Sequence, residues 1–364
     1  MRHTRRQFIR TTSVAGATFR AELALDAAQS RSAAAMPTPS AKALMTMFGL
    51  KYPIFEAAHG ISVTSPDLAI AVSNAGAMGA LAITGWPLER ARDAVSKVRA
   101  ATKGVFFVNY ILAPGLEPPS LKAVLDAGAP IVQFSWGVPT KGSISAIRAA
   151  GAKMGMQITS AESARAALDA GADYLVCQGT EAGGHVQATR GLYESLPLVL
   201  EQAKQIPVIA SGGIGNGQGI RKALLAGAWG AALGTRFLAT VESNAHPAFK
   251  QAVVAAQARD TALTICFQDG WPATHRALRN RTFVMWDAAG CPTPGHRPGE
   301  RDVVATYPDG SRILRYSATS PGRELQGTVE EMALYAGLSV EFVKDLPPAG
   351  ELVLRLWREC ETAQ

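Results

Sequence analysis

Eight alternations of a short apolar run with a helix-forming stretch, recurrent glycine stops at the helix ends, and polar or glycine groups where the runs end predict an α/β chain closed as a (β/α)8 TIM barrel. The runs are continuously apolar, so both faces of each strand are covered, as in a parallel sheet wrapped by helices. With 364 residues, 48% hydrophobic and 18% charged, the chain can bury one large core. An open doubly wound sheet is the weaker option. Gly213-Ile214-Gly215-Asn216-Gly217 is the nearest approach to a GxGxxG fingerprint, and Gln218 stands where its last glycine belongs.

Residues 1–35 read as a targeting segment preceding the fold. Thr4-Arg5-Arg6-Gln7-Phe8-Ile9 resembles a twin-arginine export signal, and Ala33-Ala34-Ala35 a small-residue cleavage site, so a periplasmic location is expected; the alternative is a disordered basic tail on a cytoplasmic protein. The barrel is expected over 36–260. Its strands are predicted at 53–56, 78–83, 105–109, 131–135, 153–158, 174–177, 208–211 and 230–234. The helices are predicted at 65–74, 88–101, 120–127, 143–150, 160–170, 193–204, 216–226 and 248–259. Thr64-Ser65-Pro66-Asp67 supplies an N-cap and a first-turn proline. Gly128, Gly151, Gly171 and Gly227 each follow a helix, where a left-handed glycine returns the chain to the next strand. Residues 261–327, rich in Pro, Gly and Arg with a turn at Asp309-Gly310, read as an insertion or lid. Residues 328–364 are expected to pack helices, at 328–336 and 350–358, on the barrel.

The net charge of +7 is concentrated at the N-terminus, where six arginines face Glu22 and Asp26. The remaining 30 Lys and Arg against 27 Asp and Glu give no electrostatic argument for nucleic acid. No apolar run is long enough to span a membrane. Four cysteines without a CxxC or a Cys/His cluster at metal spacing argue against a metal site. Cys177 is expected in the core, and Cys266 with Cys291 is the pair to consider for a disulfide.

In such a fold, chemistry collects at the C-terminal strand ends. After the sixth strand comes Cys177-Gln178-Gly179-Thr180-Glu181-Ala182-Gly183-Gly184-His185. Gly183 and Gly184 let backbone approach a flat ligand, and His185 can act as base, proton donor or cation beside developing charge. Glu181 orients the loop, bonds His185, or is solvated. After the seventh and eighth strands, Ser211-Gly212-Gly213-Ile214-Gly215 leading to the helix at Asn216, and Leu233-Gly234-Thr235, together predict a phosphate site built from backbone amides. Asn109 and Gln157 end the third and fifth strands with carboxamides, which suit a heterocycle of alternating N–H and C=O groups or else satisfy nearby loop backbone. His59 also faces the mouth, whereas His246, His275 and His296 are expected at the surface.

Assembled, these residues resemble the nitronate monooxygenase family, formerly the 2-nitropropane dioxygenases, over roughly residues 45–355. The resemblance rests on the segments 74–79, 178–185, 211–214 and 233–235, with 335–340 and Gly270-Trp271-Pro272, Arg276 and Asn280 as C-terminal matches. It implies FMN in the barrel, with Gln178, Gly183, Gly213, Gly234 and Thr235 contacting the flavin and Asn109 and Gln157 near its ring. It also implies His185 as the catalytic histidine and an alkyl nitronate oxidised with O2 to a carbonyl compound and nitrite. The charge of such a substrate suits an electropositive mouth. The chain departs from the pattern where such barrels often carry Pro-Met, having Glu56-Ala57-Ala58-His59-Gly60 instead.

Nitronate and O2 are thus the expected partners, and a homodimer is the assembly to test. The runner-up function is an FMN-dependent NAD(P)H reductase acting on a quinone or enoyl thioester, since enoyl-acyl-carrier-protein reductases of this barrel type share the phrase ending at His185. A flavin-binding protein without turnover is the reading from another class.

Overall fold

The computed structural model describes residues 36–112 and 117–363, so the expected export signal lies outside the described residues. Eight parallel strands form one sheet: β1 (Ile54–Glu56), β2 (Gly79–Ala82), β3 (Phe106–Ile111), β4 (Ile131–Ser135), β5 (Lys153–Ile158), β6 (Tyr174–Gln178), β8 (Val208–Ser211) and β9 (Gly230–Leu233). Their order is β1-β9-β8-β6-β5-β4-β3-β2, and a parallel bridge from Phe55 to Met78 joins the two edges into a barrel. The predicted fold class is the observed one.

The helices α2 (Pro66–Asn74), α3 (Leu88–Ala101), α4 (Leu121–Asp126), α5 (Lys141–Ala149), α6 (Ala161–Asp169), α7 (Leu192–Ala203) and α8 (Gly217–Leu225) wrap the sheet. Gly128, Gly151, Gly171 and Gly227 all have positive φ and close the preceding helices as expected. Two apolar layers result. The outer one packs helices on strands, through residues such as Val72, Val95, Leu196 and Leu224. The inner one fills the barrel with Phe55, Phe107, Tyr174, Val176 and Ile209.

Leu44 and Phe48 join that inner layer from a helix absent from the sequence reading, α1 (Pro39–Phe48). Thr38 caps it and a proline opens it. Its buried Ala41, Leu44 and Phe48 follow helical spacing. Leu44 reaches Gly230, the first residue of β9, and Phe48 lies edge-on to Tyr174, the first residue of β6. The helix therefore plugs the end of the barrel where strands begin, leaving the opposite end for ligands.

Beyond β9 the chain forms α9 (Thr235–Leu238), α10 (Pro247–Ala255), β10 (Thr261–Thr264), β11 (His275–Leu278), α11 (Arg281–Ala288), β12 (Val303–Thr306), β13 (Arg312–Leu314) and β14 (Gln326–Gly327). It closes with α12 (Ala349–Thr362). The helix expected at 248–259 ends at Ala255, and none covers 328–336. That stretch has one short 3-10 turn at Val329–Glu331 and then runs extended, bridging Tyr335 to Ala277. Its apolar residues Val329 and Met332 face one cluster and Leu334 and Ala336 another, so no single helical stripe forms. The four cysteines are free: Cys177, Cys266 and Cys360 are buried and Cys291 is exposed, so the suggested Cys266–Cys291 pair is not formed.

The last helix reaches into the barrel wall. Glu359 of α12 accepts the Gly217 amide at 2.8 Å, and Asn216 accepts that of Gly219 at 2.9 Å. Two amides of the first turn of α8 are thereby satisfied from within the protein. Glu359→Ala removes this cap, and a loss of about 1 kcal/mol is expected, read as a lower urea midpoint at unchanged slope.

Candidate active site

The C-terminal strand ends open on a cavity of about 830 Å³. Every residue expected to bind the cofactor or to act in catalysis borders it: Asn109, Gln157, Gln178, Gly183, Gly184, His185, Ser211, Gly212, Gly213, Gly234 and Thr235, and so does His59, whereas Glu181 does not.

Its floor is a relay of amides. Tyr174 donates to Gln133 Oε1 at 3.0 Å, and Gln133 Nε2 donates to Asn109 Oδ1 at 3.0 Å. That leaves the Asn109 N–H groups for the cavity. Gln157 donates to Gln187 Oε1 at 2.8 Å. Gln178 works on the loop itself, accepting the Gln187 amide at 2.9 Å and donating to the His185 carbonyl at 3.2 Å. Gln133 and Gln187 were missed from sequence, although Gln133 is a carboxamide flanked by Val132 and Phe134 in the middle of a strand.

The phosphate expectation needs one correction. At the α8 N-terminus Glu359 and Asn216 already take the Gly217 and Gly219 amides, so less of that helix end is open to an anion than expected. Loop backbone remains. Gly213 has φ +70°, and the amides of Gly213, Gly234 and Thr235 donate to no other described residue. A Cβ built at Gly234 would meet only Ala57, at 3.7 Å.

The loop carrying His185 is fixed by three other segments, two of them far along the chain. Glu181 accepts the Leu192 amide with both oxygens, at 2.9 and 3.1 Å, capping α7 and leaving His185 to other partners. Arg276 donates twice to the Thr180 carbonyl, at 2.9 and 3.1 Å. Leu338 donates to the Glu181 carbonyl at 3.0 Å. Gly183 packs so closely on residues 336–337 that an added Cβ would stand 2.4 Å from the Gly337 nitrogen. Finally Gly184–His185 is itself a strand, β7, paired antiparallel with β11 so that His185 lies opposite His275.

His275 was expected at the surface and is fully buried. Its Nε2 accepts the Phe267 amide at 3.1 Å, so its proton sits on Nδ1, facing the Ala273 carbonyl at 2.9 Å. Both nitrogens are committed, and burial pushes its pKa down to about 4. His296 is exposed and His246, half-buried, caps α10. Around His185 stand Tyr335, His275, Trp271 and Trp136, at ring-centre distances of 5.2, 5.7, 6.1 and 6.5 Å. Burial, with His275 beside it, lowers the His185 pKa to about 4. Its Nε2 is buried without a hydrogen-bond partner. His185 is thus a neutral imidazole at pH 7 in an apolar, aromatic wall.

The mouth is not electropositive. Arg90 borders it, but so do Asp269, Asp309 and Glu324. On the far wall, buried Glu56 accepts the Ala80 amide at 3.0 Å and lies 3.3 Å from His59 Nδ1. His59 Nε2 meets the Gly234 carbonyl at 3.0 Å. Burial pushes the Glu56 carboxyl up from its ordinary range, with His59 and the Ala80 amide pulling it back. Among the described residues no cluster of His, Cys, Asp or Glu could hold a metal ion, and no helix is long and apolar enough to cross a membrane.

Because both histidines titrate in the unfolded chain near ~6.5 and in the fold near 4, the unfolded state binds more protons between those values. Their contribution to stability is complete above about pH 6.5 and is lost as pH falls toward 4. Melting temperatures across this range should show that slope, and His185→Phe should flatten it.

The model of the family described as nitronate monooxygenase matches residues 41–121 and 117–359. A nitronate monooxygenase of Pseudomonas aeruginosa is 32% identical over 365 residues, spanning 86% of this chain and 97% of its own. The crystal structure of a nitroalkane oxidase from Streptomyces ansochromogenes superposes with a TM-score of 0.70 at 32% identity, covering 87% of this chain and 97% of its own. FabK from Thermotoga maritima superposes at 0.68 with 25% identity, covering 88% and 96%. With matches running through the barrel and the C-terminal segments alike, this chain is an oxidoreductase that belongs to the nitronate monooxygenase family.

Proposed function

We propose that the protein oxidises alkyl nitronates with O2 at a bound FMN, releasing a carbonyl compound and nitrite. The observation that carries this reading is a neutral histidine with a buried, unpartnered nitrogen, in the aromatic wall of a cavity whose other side offers free backbone amides.

The residues present fit FMN. A volume of about 830 Å³ lies in the range of sites that bury a whole small ligand. The Gly213, Gly234 and Thr235 amides suit a phosphate, with Ser211 and Gly212 beside them. Asn109, Gln157 and Gln178 offer the mixed donors and acceptors that a flavin edge requires. A Cβ built at Gly184 meets nothing within 4 Å, so glycine keeps that surface clear for a flat ring. Bound there, the flavin supplies the electron acceptor and the reaction with O2.

The chain's own part is binding, orientation and charge. An uncharged His185 presents one N–H and one lone pair, so it can hold a nitronate oxygen without costing a buried cation. An anion beside it raises its proton affinity, which favours proton donation as the substrate's charge moves. Trp136, Trp271 and Tyr335 keep water from the reacting carbon and strengthen that hydrogen bond. Trp136 achieves its position with φ +69°, in the left-handed region.

Mixing the FMN-loaded protein without oxygen separately with propyl nitronate and with NADH tests the proposal. Fast bleaching of the flavin by nitronate, with nitrite formed once air is admitted, is expected. His185→Asn is expected to keep FMN and to lower kcat/KM for nitronate about 100-fold. Fast bleaching by NADH alone would instead support reduction of a quinone or enoyl thioester by NAD(P)H. The Glu181-to-His185 phrase, common to barrel-type enoyl-acyl-carrier-protein reductases, favours keeping that second reading. We further propose twin-arginine export to the periplasm; fractionating cells that carry Arg5→Lys/Arg6→Lys should move the protein to the cytoplasm.

A further inference from the structure

We infer that Glu56 and His59 form a clamp, holding one shared proton, that aims the Thr235 backbone N–H at the phosphate of the bound cofactor; this rests on the FMN reading above. Glu56 ends the first barrel strand and His59 follows three residues later, in the stretch where barrels of this kind often carry Pro-Met, and both border the cavity. Neither is used by the chemistry assigned to His185.

The hydrogen-bond logic starts at Gly234. A carbonyl oxygen only accepts, so His59 Nε2, 3.0 Å away, carries a proton. That leaves Nδ1 facing Glu56 Oε1 at 3.3 Å, and neither atom has another partner. Two lone pairs buried face to face repel, so a second proton lies between them. The pair is either a carboxylic acid donating to a neutral imidazole or a carboxylate beside an imidazolium. In both forms Nε2 keeps its proton and the pair is electrically neutral, which is what a fully buried Glu56 requires. The other carboxyl oxygen is anchored on the Ala80 amide, so the His59 ring is fixed to the β1–β2 seam of the barrel.

The output is at the next peptide. The Gly234 carbonyl accepts from both His59 and the Leu238 amide, at 3.0 and 2.9 Å. In a trans peptide C=O and N–H point in opposite directions, so fixing the Gly234 oxygen fixes the direction of the Thr235 N–H. That N–H has no acceptor among the described residues, and Gly234 and Thr235 both border the cavity. Thr235 is held from its other side, since its hydroxyl accepts the Gly337 amide at 2.9 Å. Donation by His59 also polarises the peptide and makes its N–H a stronger donor. His59 is therefore a positioning residue for the phosphate, and Glu56 sets its tautomer.

The test separates phosphate from ring. Dissociation constants of FMN and of riboflavin, which lacks the phosphate, are measured on apoprotein by quenching of flavin fluorescence. His59→Ala is expected to weaken FMN about ten-fold and riboflavin less than about two-fold. In Glu56→Gln one amide can still accept from Ala80 and donate to His59, so near-native FMN affinity is expected, whereas Glu56→Ala should behave like His59→Ala. His59→Gln, which can still donate to Gly234, serves as the rescue variant if His59→Ala does not fold. Equal weakening of both flavins, or unchanged FMN affinity in His59→Ala and Glu56→Ala, would overturn the clamp. A wild-type protein that fails to bind FMN at all would overturn the flavin reading, and the clamp with it.

Discussion

The antiparallel pairing of Gly184–His185 with His275–Arg276 is the constraint on which the site depends. A glycine-rich loop leaving a barrel strand has no geometry of its own. Here it becomes the edge of a second, small sheet, whose other two strands come from a segment well beyond the last barrel strand. That segment brings Arg276 to the Thr180 carbonyl and Trp271 to the His185 ring. Residues 335–338 then close on the loop where Gly183 and Gly337 let two backbones meet. The barrel supplies the floor, and the C-terminal segments supply the wall that makes the histidine what it is.

That wall is apolar by construction. An imidazolium at position 185 would face His275, Trp271, Trp136 and Tyr335, with no carboxylate among its ring neighbours. His275 cannot relieve it, because both its nitrogens are spent on backbone. Neutrality at His185 is therefore a property of the whole enclosure. Three carboxylates are instead placed where they hold structure: Glu181 on α7, Glu359 on α8 and Glu56 against Ala80.

The barrel was legible because each of its units is local. An apolar run makes a strand, an amphipathic stretch makes a helix, and a glycine such as Gly128 or Gly171 ends it in the left-handed region whatever lies elsewhere. The candidate residues were legible for the same reason, since each sits within a few positions of a strand end. What escaped were features set by distant partners. His275 looks like a surface histidine until β11 is paired on both sides. Residues 328–336 carry apolar side chains at helix-like density, yet those residues belong to separate clusters. The helix start at Asn216 reads as part of an anion site, and only the arrival of Glu359 from α12 shows that its Gly217 amide is already taken. Glu56 and His59 were visible as a departure from a pattern, but their joint action on Gly234 needed the β1–β9 contact.

That same β1–β9 contact has a consequence for how the chain is made. Within the barrel, β2 to β6 and β8 each pair with a strand made shortly before or after them, so a growing sheet can form as synthesis proceeds. β1 cannot complete its pairing until β9 is made, near residue 233. Through most of translation the nascent sheet therefore has two unprotected edges, and the surfaces of Phe55 and Phe107 that will fill the barrel remain uncovered. Closure and the histidine enclosure both come late, the second only after β11 exists. A ribosome-bound fragment ending inside β8 is thus an open sheet of six finished barrel strands with sticky edges and without the histidine enclosure, a hazard that the stability of the finished fold does not remove.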